Sequence, residues 1–91
     1  MKLDVEAIKQ FLELRQKLLK GGVININFRL GDVLVNLETL IDVPNIKIQK
    51  RDSELYPYEI RSKFDEVEVY AIAKEDELKK FLERRGQGET I

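Results

Sequence analysis

The amino-acid sequence predicts an α+β fold, a two-layer sandwich in which an antiparallel sheet of about five strands carries the N- and C-terminal helices on one face. Two observations support this prediction. Apolar residues recur every three or four positions near both ends of the chain, as they do along one side of a helix. Between the ends, apolar and polar residues alternate, as they do in half-buried strands. The expected element order is α-β-β-β-β-β-α.

The first helix is predicted over residues 4–20. Asp4 can cap its first turn, and Leu3 and Ile8 have the spacing of a hydrophobic staple. The pair Gly21-Gly22 ends the helix. Its apolar arc covers about half of the circumference, which is wider than packing against a single surface requires.

Arg15 falls inside this apolar arc, next to Leu14. Its aliphatic stem can lie on apolar surface while the guanidinium reaches water, which is the favoured interpretation. The alternative is a buried ion pair or a contact with a partner.

The strands are predicted over residues 23–29, 33–38, 46–50, 56–63 and 67–73. The second strand is apolar at nearly every position, which is typical of a central strand. Gly31 can take a positive φ in the turn before it. Because strands joined by short loops pair antiparallel, we expect every pair in the sheet to be antiparallel.

The final helix is predicted near residues 75–85, with an acidic first turn and Leu78, Phe81 and Leu82 on its apolar side. Residues 86–91 are expected to form a flexible tail. A chain of 91 residues makes one domain, spanning 1–91. The residues expected in its core are Ile8, Leu12, Leu19, Ile24, Ile26, Phe28, Val35, Ile48, Ile60, Val69, Leu78 and Phe81.

The composition argues against most catalytic chemistry. The chain has no cysteine and no histidine, which removes the usual nucleophile–base pairs and the commonest transition-metal ligands. Two groups of carboxylates remain, and neither has the spacing of a calcium loop: Asp52, Glu54 and Glu59, and Asp65, Glu66 and Glu68. We therefore predict no catalytic residue, no cofactor and no metal site, and a carboxylate-dependent enzyme is only the third interpretation.

Nucleic-acid binding is the second interpretation. A sheet that presents cations and aromatic rings can bind single strands. The candidates are Lys47, Lys50, Arg51, Arg61 and Lys63, with Tyr56, Tyr58 and Tyr70. The net charge of −1 gives no general attraction to phosphate, and acidic residues share the same strands.

The favoured interpretation is a small non-enzymatic interaction or accessory protein that can form a homodimer. If Val35 and Val69 face the helices, Leu34, Tyr70 and Ile72 must lie together on the open face of the sheet. Such an apolar patch is typical of an interface. The second candidate interface is the first helix around Leu14 and Arg15. The N-terminus lacks the apolar run of a signal peptide and no stretch is long enough to span a bilayer, so a cytoplasmic protein is expected.

Overall fold

A computed structural model describes residues 2–86, in which two helices and a short 3-10 helix accompany a five-stranded sheet. The predicted tail lies outside the described residues except for Gly86. The elements, in chain order, are α1 Val5–Lys20, β1 Val23–Asn27, β2 Asp32–Val35, the 3-10 helix Leu37–Leu40, β3 Lys47–Lys50, β4 Tyr58–Phe64, β5 Val67–Ala73 and α2 Glu75–Arg84. The α+β class and the predicted element order are confirmed.

The strand order in the sheet is β1-β2-β5-β4-β3, and one of the four pairings is parallel. β2 and β5 run in the same direction, whereas the other three pairs are antiparallel. The expectation of an all-antiparallel sheet is therefore wrong for this pair. The reason is that the 3-10 helix and the segment after it carry the chain from β2 to the far edge of the sheet. β4 and β5 then bring the chain back, and β5 arrives beside β2 in the same orientation.

The pairing register assigns each strand residue to one of two faces. Val33 pairs with Val69, and Ile60 pairs with Ala71, so these residues share the face on which α2 packs. We call it the inner face, and the other the open face. The core consists of the buried residues Val35, Leu40, Ile60, Ala71, Ala73, Leu78, Phe81 and Leu82.

The core prediction is only partly right. Val35, Ile60, Leu78 and Phe81 are buried, and Ile26 and Val69 are half-buried. The other six expected core residues are exposed: Ile8, Leu12, Leu19, Ile24, Phe28 and Ile48.

Local backbone geometry explains the errors in the strands. β1 contains an irregularity between Val23 and Asn25, which places Val23 and Ile26 on the inner face and leaves Ile24 outside the alternation. β1 ends at Asn27, whose side chain accepts hydrogen bonds from the next turn, so Phe28 lies in that turn and is 78% exposed. Ile48 lies on the edge strand β3.

The errors in the N-terminal helix have a different cause, because α1 does not pack over the sheet as predicted. Its cap is as expected, since Asp4 Oδ1 accepts a hydrogen bond from the Ala7 amide at 2.9 Å. Yet none of its residues is buried within the described chain. The radius of gyration is 15.3 Å, whereas about 12 Å is usual for a compact domain of this length. α2 covers the inner face, and α1 lies beside β1.

Candidate functional site

The helix α2 covers only one half of the inner face, and the other half of this face is uncovered. α2 covers the first half, where Leu78 and Leu82 pack into the core formed around Ile60, Ala71 and Ala73. The second half is an apolar groove with a volume of about 320 Å³. Its lining residues are Leu18, Gly21, Val23, Ile26, Val33, Val35, Thr39, Leu40, Val43, Phe64, Val67 and Val69. This surface, named here the inner groove, is the candidate functional site.

The sequence accounts for both the lining and the rim of the inner groove. Valines at alternate positions of β2 and β5 point to the same side, because side chains alternate between the faces of a strand, and the irregularity in β1 brings Val23 and Ile26 to that side as well. At the end of the groove, Phe64 and Val67 are 45% and 46% exposed. The exposed Asp65 and Glu66 lie between them, and the exposed Asp42 precedes Val43. The groove therefore has an apolar floor and an acidic rim.

α1 touches one end of the groove without filling it. Leu18, near the end of the helix, lines the inner groove and also a cleft of about 270 Å³ between α1 and β1. Phe11 makes an edge-to-face contact with Phe28, with ring centroids 5.5 Å apart. Phe11 and Leu18 are half-buried, whereas the apolar residues on the next part of the helix surface are exposed: Val5, Ile8, Leu12 and Leu19.

The predicted interface residues on α1 lie at this surface. Leu14 is exposed, and Arg15 is exposed and lines the cleft between α1 and β1. The favoured interpretation of Arg15, a stem on apolar surface with the head in water, agrees with this position.

The other predicted interface residues lie together on the open face, as the sequence indicated. Leu34 pairs with Tyr70, and Ile72 pairs with Glu59. All three apolar residues are half-buried, and the guanidinium of Arg61 lies 4.8 Å from the centre of the Tyr70 ring. The patch is therefore smaller and more polar than the strand pattern alone suggested.

Arg61 organises a charged cluster at the centre of the open face. It donates two hydrogen bonds to the Glu59 carboxylate, at 3.1 and 3.2 Å, and one to Glu68 at 3.2 Å. Asp32 lies 3.8 Å from the same guanidinium, and its Oδ1 atom is buried without a hydrogen-bond partner. The hydrogen bond with Glu59 raises the pKa of Arg61, and burial opposes this rise. The cluster therefore joins acidic side chains of β2, β4 and β5 through one cation, with hydrogen bonds to Glu59 and Glu68 and an ion pair to Asp32.

The basic and aromatic residues considered for nucleic-acid binding are divided between surfaces. Lys47 and Lys63 lie on the open face with Tyr70, whereas Lys50 pairs with Tyr58 on the inner face. Arg51 donates a hydrogen bond to the Tyr56 carbonyl at 3.2 Å. Arg61, the most central cation, contacts three carboxylates, so this set does not form one cationic surface.

The carboxylates considered as metal ligands are also spread over several parts of the structure. Asp52 and Glu54 lie in the loop before β4, Glu59 and Glu68 contact Arg61, and Asp65 and Glu66 lie in the β4–β5 turn. Among residues 2–86, no group of three or more acidic side chains is arranged to hold a metal ion. Within the same residues, no helix has the length and apolar character needed to cross a membrane.

The inner groove itself was not among the sites predicted from the sequence. Two signals pointed toward the groove: the wide apolar arc of α1 and the density of valine in β2 and β5.

Comparison with known proteins adds no information, because no family model, curated protein or solved structure matches the chain.

Proposed function

We propose that this chain is a non-enzymatic protein-interaction module that binds an amphipathic helix in its inner groove. The observation that carries the proposal is the apolar half of the inner face, about 320 Å³ in volume, beside the half that α2 covers. Exposed apolar surface of this kind is typical of binding sites for protein partners.

A helix is the occupant that fits this groove best. The neighbouring half of the same face is filled by a helix, α2, through residues spaced three and four positions apart. A second helix beside it would complete the helical layer of a two-layer α+β fold. Helix-in-groove recognition uses the same spacing of apolar anchors.

The charges at the rim define the partner further. Asp42, Asp65 and Glu66 are exposed beside the lining residues, so basic residues flanking the apolar stripe of the partner helix would be favoured. The open face is a poorer candidate surface because Arg61 and its carboxylates interrupt the apolar patch.

Site-specific photocrosslinking tests the proposal. A benzophenone amino acid replaces Val67 in the groove, and the matched control carries it at Lys63, on the open face of the adjacent strand. In the cells that produce the chain, we expect protein adducts from position 67 that are absent from position 63. The adducts should map to a segment with apolar residues every three or four positions. Equal labelling from both positions, or no adduct from position 67, would contradict the proposal.

A further inference from the structure

We infer that the occupant of the inner groove is α1 of a second copy of the chain, with the two copies exchanging helices around a twofold axis. This inference rests on the proposed function and names its partner. The described residues present both an unfilled apolar groove and an amphipathic helix, α1, none of whose residues is buried. A twofold arrangement satisfies both at once, because each copy supplies one helix and one groove.

The helix of the same copy is held away from its own groove. Only Gly21 and Gly22 connect α1 to β1, and the Asn36 amide donates a hydrogen bond to the Gly22 carbonyl at 2.8 Å. Gly22 also lies directly against the Thr39 side chain, with no room for a β-carbon. The contact between Phe11 and Phe28 holds the middle of the helix against the turn that follows β1.

The helix surface that faces away from its own chain is the one that a partner groove would bury. Residues Phe11 and Leu18 lie on the side toward β1. Ile8 and Leu12, on the other side of the apolar arc, are 42% and 47% exposed. Ile8 and Leu12 therefore belong to an apolar strip along α1 that is free for a second contact.

The charges of the two surfaces are complementary. Residues 5–20 contain four basic and two acidic side chains, which gives α1 a charge of +2. The rest of the chain has twelve basic and fifteen acidic residues, a charge of −3. A basic helix would therefore meet the acidic rim formed by Asp42, Asp65 and Glu66.

The exposed apolar side chains set an upper limit on the area that a dimer can bury. Ten large apolar side chains in segments 3–28 and 64–67 are between 42% and 78% exposed. At roughly 60–120 Å² for each fully exposed side chain, they offer at most about 300–650 Å² of apolar surface per copy. Because about 65% of a homodimer interface core is apolar, an interface that buried all of them would reach roughly 1,000–2,000 Å² in total. Stable interfaces bury about 1,200–2,000 Å², so this limit lies within the range of a stable dimer.

Sedimentation equilibrium of the purified chain gives the first test. We expect a species of twice the 10.7 kDa chain mass at micromolar concentration. Replacing Ile8 and Leu12 by lysine should raise the dissociation constant at least about a hundredfold, because two charges would enter the apolar groove. Neither residue is buried in one copy, so the circular dichroism of the dissociated variant should keep the signal of the sheet and α2.

Glu13→Lys is the matched control. It changes the net charge by the same two units, at a position outside the apolar arc of α1. We expect it to leave the dimer intact. Dissociation by this variant as well would attribute the effect to overall charge and would overturn the assignment of the apolar strip.

Crosslinking between two singly substituted copies tests the exchange directly. The chain contains no cysteine, so introduced thiols react without background. When Leu12→Cys and Val67→Cys copies are mixed, a short bis-maleimide should join one to the other, whereas Glu13→Cys and Val67→Cys should not be joined. Linkage of Leu12→Cys only to itself would instead place helix against helix and overturn the inference.

Two further outcomes separate this inference from the proposed function. A strictly monomeric chain whose position 67 crosslinks to a different protein in cells would reject the second copy and keep the helix-binding function. A monomeric chain without any such adduct would reject both.

Discussion

The two helices of this chain are both amphipathic but have different environments. α2 places Leu78, Phe81 and Leu82 against the inner face, and all three are buried. α1 is six residues longer and has a wider apolar arc, yet it has no buried residue within the described chain. Both helices are amphipathic, so amphipathicity alone does not determine what a helix packs against.

The difference has local causes. Lys74 alone separates α2 from β5, and Ala71 and Ala73 leave room for the helix on the sheet. Arg85, just after α2, donates to the carbonyl oxygens of Leu40, Ile41 and Val43 at 2.8–2.9 Å. α1, by contrast, is joined to the edge strand β1, and it lies beside this strand with only Phe11 and Leu18 half-buried among its residues. Both helices have short connections to a strand, so the features that distinguish α2 are the room above Ala71 and Ala73 and the anchoring hydrogen bonds of Arg85.

The largest expected effect is a loss of stability on truncating an apolar residue, and it should differ between the two helices. Leu78→Ala should lower the free energy of unfolding by about 2–5 kcal/mol, because Leu78 is fully buried. Leu12→Ala should cost little at low protein concentration and more at high concentration, where α1 docks in a second copy. Urea denaturation at two concentrations a hundredfold apart measures both. A large loss from Leu12→Ala at both concentrations would mean that α1 packs within its own chain.

The second comparison concerns one arginine near each helix. Arg85→Ala should lower the free energy of unfolding by about 2–3 kcal/mol, because three partly buried carbonyl groups lose a charged donor. Arg15→Ala should change the stability of the monomer by less than about 0.5 kcal/mol, as is usual for an exposed side chain. Thermal unfolding of both variants checks the difference, and equal losses would show that Arg85 does not anchor α2.

The third comparison tests the connection between α1 and β1. Gly22 has a φ of 90°, and an added β-carbon would lie 2.1 Å from Thr39 Oγ1. Gly22→Ala should therefore lower the free energy of unfolding by about 1–3 kcal/mol, through backbone strain and displacement of Thr39. Gly21→Ala is the control, because Gly21 has a negative φ and ordinary contacts of 3.5 Å. An unchanged free energy of unfolding for Gly22→Ala would show that this connection is pliable and does not hold α1 in place.

Much of the fold could be predicted because it depends on local patterns. The cap at Asp4, the end of α1 at Gly21 and the alternation in β4 and β5 are properties of neighbouring residues. The common face of Leu34, Tyr70 and Ile72 followed in the same way from the period of two in each strand.

What could not be predicted depends on contacts between distant segments. The parallel pairing of β2 with β5 requires the crossover between them, and no residue of either strand encodes its direction. The irregularity at Ile24 shifts one residue of an apparently regular pattern. The inner groove is uncovered because α1 does not pack over the inner face, although its apolar arc predicted that it would. No local sequence pattern indicates this outcome.

The smallest expected effect concerns the cap of α1, and it tests how far this helix is independent of the rest of the fold. Asp4 accepts a hydrogen bond from the Ala7 amide, and losing such a cap costs a helix about 1 kcal/mol. An isolated helix of 16 residues is only marginally stable in water, so Asp4→Ala should reduce the helical signal in circular dichroism. The urea midpoint of the monomeric sheet and α2 should change little, because no residue of α1 is fully buried in the described part of the chain. At concentrations that favour the dimer, the same substitution should weaken association, since a frayed helix must be ordered again on docking. A fall in the urea midpoint at low concentration would instead show that α1 unfolds together with the sheet and α2. The two helices would then differ only in how much they stabilise the fold.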